Sequence, residues 1–197
     1  MTRYLLYWLI ALAFLAPPPA RAQSPDVAVP AISSQGVLRA TEVVDAVFVT
    51  RHKHAGSVGG ADWVAYMMAR LGIHPIPDMP GVAVAVDSGG IVMSSRIGDL
   101  PSQTRTELGP LIGFLDPSTP IAADITLTRA GPQAVRFHLQ SLSVAGFGLP
   151  EMLLASYLAD VGKRYPALTP SGRDLLVQVP TGGRVMLAAD SIRLALP

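Results

Sequence analysis

The chain has 197 residues, 15 Lys and Arg against 14 Asp and Glu, a net charge of +1, and no cysteine. That balance excludes the strongly basic face a nucleic-acid partner requires, and the missing cysteines exclude a disulfide framework, so the core alone must hold the fold. Half of the residues are hydrophobic and only 15% are charged, which leaves apolar surface to spare for a groove or an interface.

Arg3 precedes an apolar run from Leu5 to Ala16, Pro17 to Pro19 break it, and Ala20-Arg21-Ala22 forms an A-x-A site. These features predict a secretory signal peptide over residues 1–22, cleavage before Gln23, and a periplasmic or secreted protein. The run falls short of the roughly 20 apolar residues of a membrane span. Cleavage would remove Arg3 and Arg21 and no acid, leaving 13 basic and 14 acidic residues, net −1, on a chain of 175 residues. With no cysteine at the cleavage site, lipoprotein attachment is excluded.

Residues 23–36 carry Pro25, Pro30, Ser and Gly and predict a flexible lead-in, with a single α+β domain over 37–197. TEVVDAVFVT at 41–50 fits a strand by its β-branched content and a helix by the stripe Val43, Val44, Val47. RHKHAGSVGG reads as a polar loop. Asp62 is placed to cap a helix from Trp63, with Val64, Met67, Met68 and Leu71 on one face and Gly72 as its stop. VAVAV and IVMSSRI around Asp87-Ser88-Gly89-Gly90 predict a hairpin, and Ser102 a cap for a short helix with Leu108, Leu111 and Ile112 on a face.

Two alternating runs follow: Ile121, Ala123, Ile125, Leu127, then Val135, Phe137, Leu139, joined by a turn over Thr128–Gln133. The apolar phase slips by one residue after Leu139 and resumes at Leu142 and Val144, which predicts a β-bulge and a bent, amphipathic antiparallel sheet. Pro150 and Glu151 open a second helix with Leu154, Tyr157, Leu158, Val161 and Tyr165 on its apolar stripe. DLLVQV, RVMLA and DSIRLAL predict three closing strands. Residues 61–97 and 150–188 both run helix, prolines, strand, glycine turn, strand, which raises the expectation of an internal duplication.

No constellation spells out a reaction. His52-Lys53-His54 offers two imidazoles but no third zinc ligand in motif context, and a solvated basic loop accounts for it. Asp87-Ser88-Gly89-Gly90 has the letters of a serine-protease nucleophile segment, and a hairpin turn explains it fully. No catalytic residue, metal ligand or cofactor is assigned, and the chain reads as non-enzymatic.

The stretch VRFHLQSLSVAGFGLPEMLLASYL, followed by DLLVQVPTGGRVMLAADSIRL, resembles the LmeA-like bacterial exported lipid-binding proteins of the tubular lipid-binding (TULIP-like) class. The resemblance spans roughly residues 82–197 and implies a curved antiparallel sheet wrapped along two or three helices, a half-barrel with an apolar channel for acyl chains. It departs from that class in the shortness of the helix at 150–165 and in the segment 109–120. It implies a lipid or another apolar small molecule as partner, with transient membrane contact. Met67, Met68, Phe137, Leu139, Leu154, Tyr157 and Leu158 are the expected apolar lining. Gly146, Gly148 and Pro150 are the expected hinge that swings the helix across the sheet, with Phe147 and Leu149 plugging it. The alternatives are an envelope structural or interaction module with a filled core, and then a hydrolase or metal-dependent enzyme.

Overall fold

The computed structural model describes residues 31–73, 76–102, 104–106 and 114–197. The expected signal peptide and cleavage site, most of the lead-in, His74, and the apolar face of the helix after Ser102 lie outside the described residues. Ser102 itself sits inside a helical turn, where the Arg105 amide donates to the Pro101 carbonyl at 2.9 Å.

The architecture is α+β with antiparallel sheets. In chain order the elements are α1 (Ser34–Val44) with a π-helical extension (Asp45–Val49), β1 (Ala55–Gly59), α2 (Gly60–Arg70), β2 (Ala83–Val86), β3 (Ile91–Arg96), β4 (Pro120–Gly131), β5 (Ala134–Val144), β6 (Phe147–Gly148), α3 (Glu151–Arg164), β7 (Asp174–Gln178), β8 (Arg184–Ala188) and β9 (Ser191–Ala195). The strands form two sheets rather than one. A three-stranded sheet has the order β1-β9-β8, and a six-stranded sheet has β2-β3-β4-β5-β6 with β7 also on β5. The sheets touch where the Asp190 amide donates to the Val86 carbonyl at 2.9 Å.

Several boundaries differ from the sequence expectation. The lead-in ends early: Ile32 is fully buried and bridges Met79, and the Ser33 hydroxyl accepts from the Gly36 amide to start α1. The ambiguous 41–50 stretch is helical from Thr41 to Val49, because α1 runs into its π extension. The expected loop at 51–60 contains β1, a strand of small residues that exists because β9 offers it a five-residue antiparallel register. α2 begins at Gly60, before Asp62, and Asp62 instead accepts two hydrogen bonds from Arg39 of α1, at 2.8 and 2.6 Å. β4 extends to Gly131, shortening the expected turn. The duplication fails in topology: β2 and β3 form a hairpin, whereas β7 pairs with β5 and β8 with β9.

The bulge is where the sequence places it. Ile125 pairs with Leu139 and Asp124 with Ser141, so Gln140 is the unpaired extra residue. The β5 edge is then divided between two partners. β7 covers residues 134–138 and β6 covers 143–144. The chain leaves that edge at Leu149, whose amide donates to the Leu142 carbonyl, and returns at Arg173, whose carbonyl accepts from the Leu139 amide. α3 is the excursion between those two points. Leu154, Leu158 and Gly162 are its buried stripe, at i, i+4 and i+8. At Gly162 the helix meets backbone: a Cβ there would lie 2.8 Å from the Thr169 carbonyl oxygen.

The glycine hinge is corrected. Ala145 and Gly146 have φ of +53° and +80° between the paired residues Val144 and Phe147, which is a two-residue primed hairpin turn. Gly148 needs no such conformation, and a Cβ on it would meet nothing within 4 Å. Phe147 is 76% exposed and plugs nothing, while Leu149 is half-buried.

Gly146→Val is therefore expected to destabilise the fold by roughly 1–2 kcal/mol, the cost of a left-handed conformation for an L residue, while Gly148→Ala stays within about 0.5 kcal/mol. Urea unfolding midpoints of the two variants check the contrast, and equal losses would contradict the turn assignment.

Candidate functional site: an apolar cleft between α2 and the six-stranded sheet

The sheet presents two rows of apolar side chains to α2. Antiparallel register aligns Ile91, Ile125 and Leu139 across β3, β4 and β5. It aligns Met93, Ala123 and Leu142 one step along. Leu139 and Leu142 are an odd number of residues apart and would face opposite sides of a regular strand. The Gln140 bulge absorbs the extra residue and returns Leu142 to the face of Leu139. Both rows thus belong to one surface.

α2 covers this surface incompletely. Trp63, 1% exposed, packs with its ring centroid 5.8 Å from Phe137 of β5 and 5.5 Å from Tyr66. Beyond that contact two adjoining lobes remain. The first, about 250 Å³, lies between Trp63, Met67 and Met68 of α2 and Ile125, Phe137 and Leu139 of the sheet. The second, about 330 Å³, runs on past Met79, Leu100 and Leu142 to Val161 of α3 and Tyr165 just beyond its end. Met68, Leu71, Met93 and Leu168 line both lobes and form their common wall. Together the lobes reach the size range of small-ligand sites, about 300–1,000 Å³.

Among the described residues, Arg173 is the single charged residue lining the first lobe, and no acid lines either lobe. The Arg173 side chain is 17% exposed, and its guanidinium donates to Glu151 of α3 at 2.8 Å. Trp63 Nε1 is buried with no hydrogen-bond partner among the described residues. Apolar burial, rather than a polar contact, accordingly fixes the position of the indole. Two other concavities, of about 360 and 590 Å³, carry Arg129 and Arg184, and Asp45, Arg51 and Arg70, in their walls. Their mixed, charged linings lack the continuous apolar surface of the cleft.

Met67, Met68, Phe137 and Leu139 are thus brought together in the first lobe. Leu154 and Leu158 are buried on the inner stripe of α3 but line neither lobe, and Tyr157, half-buried, lines neither as well. α3 contributes Val161 instead, one turn further along, and Tyr165 at its C-cap joins it. Leu168, Leu175 and Arg173 were not among the expected lining. Leu175 was open to inference from the alternation of DLLVQV, whereas Leu168 and Arg173 stand in an irregular segment that carries no period to read.

The polar clusters lie elsewhere. His52 Nδ1 is 2.7 Å from the Thr50 hydroxyl, and among the described residues no group of three His, Cys, Asp or Glu side chains is placed to hold a metal ion. Asp87 accepts from the Gly89 and Gly90 amides, closing the β2–β3 turn. His138 Nδ1 lies 2.8 Å from Asp174, with Arg136 on the same carboxylate at 3.9 Å; these β5 side chains alternate with the buried Val135 and Phe137 and so face away from the cleft. No helix among the described residues is long and apolar enough to cross a membrane.

No family model matches the chain, and no curated protein or solved structure matches it significantly.

Burial, with Asp45 nearby, raises the Tyr66 hydroxyl pKa above its ordinary value, and the charge of Arg70 opposes this. The unfolded chain then loses the phenolic proton near pH 10 while the folded one keeps it, so stability falls as pH rises from about 10 through the folded value. Tyr66→Phe is expected to flatten that fall. Melting temperatures measured from pH 9 to 11.5 for both proteins check it, and parallel curves would refute it.

Proposed function

We propose that this protein is an exported, non-enzymatic binder of lipid or another apolar small molecule, working as a carrier or envelope accessory factor. The cleft is the observation that carries the reading: two adjoining lobes walled by Met, Leu, Ile, Phe and Trp side chains, with one charged residue among the described ones. Burial of a methylene contributes about 0.8 kcal/mol, so an acyl chain needs no polar chemistry to be retained. Met68 and Met93 in the common wall suit this role, because thioether side chains change rotamer easily and fit varied apolar shapes.

Two features support export and membrane contact. The N-terminal 22 residues have the pattern of a secretory signal. Phe147, Met152 and Leu153 are 76%, 82% and 51% exposed around the β6–α3 corner, next to Glu151 and hence to Arg173 at the cleft. Such a tip suits shallow insertion into a bilayer surface. The bulged sheet and the helix laid along it are also compatible with a TULIP-like half-barrel, which remains part of this proposal.

Native mass spectrometry of the protein purified from an exporting host is expected to show a bound lipid mass that disappears on organic extraction. Added lipid at a hundredfold excess over Kd is expected to raise stability by about 2.7 kcal/mol. Met68→Trp, which fills the wall between the lobes, is expected to weaken that binding at least tenfold. A clean apo mass after incubation with mixed lipids would overturn the reading and favour an interaction module.

A further inference from the structure

We infer that the cleft selects amphiphiles with an anionic head group, a carboxylate or a phosphate, and that Arg173 receives that group in exchange for Glu151. The inference rests on the lipid-binding reading and deepens it. Among the described residues, Arg173 is the one charged side chain lining the first lobe, and no carboxylate lines either lobe. A cation against an apolar wall is matched by a ligand whose negative end lies next to a hydrocarbon tail. A neutral ligand would leave the guanidinium on Glu151 and gain no charge-assisted hydrogen bond of its own.

Arg173 is held in place by backbone rather than by its side-chain partner. Its carbonyl accepts from the Leu139 amide at 2.9 Å, on the β5 edge where Leu139 itself lines the cleft. The Arg173 backbone, and with it the root of the side chain, therefore stays beside the cleft whether or not Glu151 is engaged. The partner is the mobile half of the pair: the Glu151 side chain is 73% exposed, against 17% for Arg173. A carboxylate so exposed gives little when it pairs and loses little when it rotates into water. A ligand anion arriving from within the cleft keeps its tail buried and offers Arg173 two acceptor oxygens, against the single bond that Glu151 accepts. Glu151 thereby serves as a stand-in for the head group in the empty protein.

Calorimetric titration of the protein with oleate, oleyl alcohol and oleoyl-lysophosphatidate tests this with a constant tail. Oleate is expected to bind about tenfold tighter than oleyl alcohol. Arg173→Gln is expected to abolish that preference while leaving the alcohol unchanged. Glu151→Gln is expected to strengthen oleate binding several-fold, with no change for the alcohol, and to lower the melting temperature slightly because a surface pair is lost. A merely structural pair would lower stability without improving oleate binding. Tighter binding of the lysophosphatidate than of oleate assigns the natural head group as a phosphate, and the reverse order assigns a carboxylate. Equal affinity of wild-type protein for acid and alcohol, or a preference that survives Arg173→Gln, would overturn the inference and leave the apolar cleft standing. Failure of all three ligands to bind would overturn the lipid-binding reading and this inference with it.

Discussion

One extra residue in β5 decides what the sheet can present. Gln140 has no partner on β4, and the pleat restarts in the opposite phase beyond it. Without that insertion, Leu142 and Val144 would turn away from the face of Phe137 and Leu139, and the apolar surface would end halfway along the strand. With it, β5 stays amphipathic over 11 residues, and the β4–β5 pair carries both cleft rows. The bulge also breaks the outer edge of β5 into two docking sites, one for β7 and one for β6. α3 lies on the excursion that connects them.

The second constraint is the seat of α2. Trp63 in its first turn contacts Phe137 on the six-stranded sheet, while Val58, Ile192 and Leu194 of the three-stranded sheet belong to the same buried cluster. Both sheets therefore close against one helix, and the unpaired indole nitrogen is an accepted cost of about 1–3 kcal/mol against the burial of so large a ring. Arg39 and Asp62 then fix the rotation of α1 on α2 from the outside. The exposure of Arg39 makes this pair worth at most about 1 kcal/mol, so it orients more than it stabilises.

What could be read from the sequence was what has a period. The α2 stripe, the alternation of β4 and β5, the phase slip at Leu139, and the three closing strands are all local patterns, and each appears in the fold. β1 was missed because AGSVG has no strand signal of its own and pairs with β9, more than 130 residues away. The apparent duplication misled for a related reason. Similar local strings took different partners, β2 and β3 pairing with each other while β7 joins β5 and β8 joins β9, and composition does not encode that choice. Gly146 was recognised as special but given the wrong task, since a positive φ serves a hairpin as well as a hinge.

The cleft lining divides along the same line. Residues on periodic elements, Met67, Met68, Phe137 and Leu139, were legible because a strand or helix face points them together. On α3 the stripe was legible but its depth was not. Leu154 and Leu158 lie under the helix, and the close approach of Gly162 to the 169–172 backbone tilts the task of lining to Val161 and Tyr165. The remaining wall, Leu168 to Arg173, is irregular chain held by hydrogen bonds to its neighbours, with the Leu168 amide on the Tyr165 carbonyl and the Gly172 amide on that of Thr169. A packed interior would have no use for a charged residue there. The carbonyl of Arg173 accepts from the Leu139 amide and its own amide donates to the Ser171 hydroxyl, while among the described residues its guanidinium pairs with the exposed Glu151, so the bonds that position the residue are separate from the one that pairs its charge.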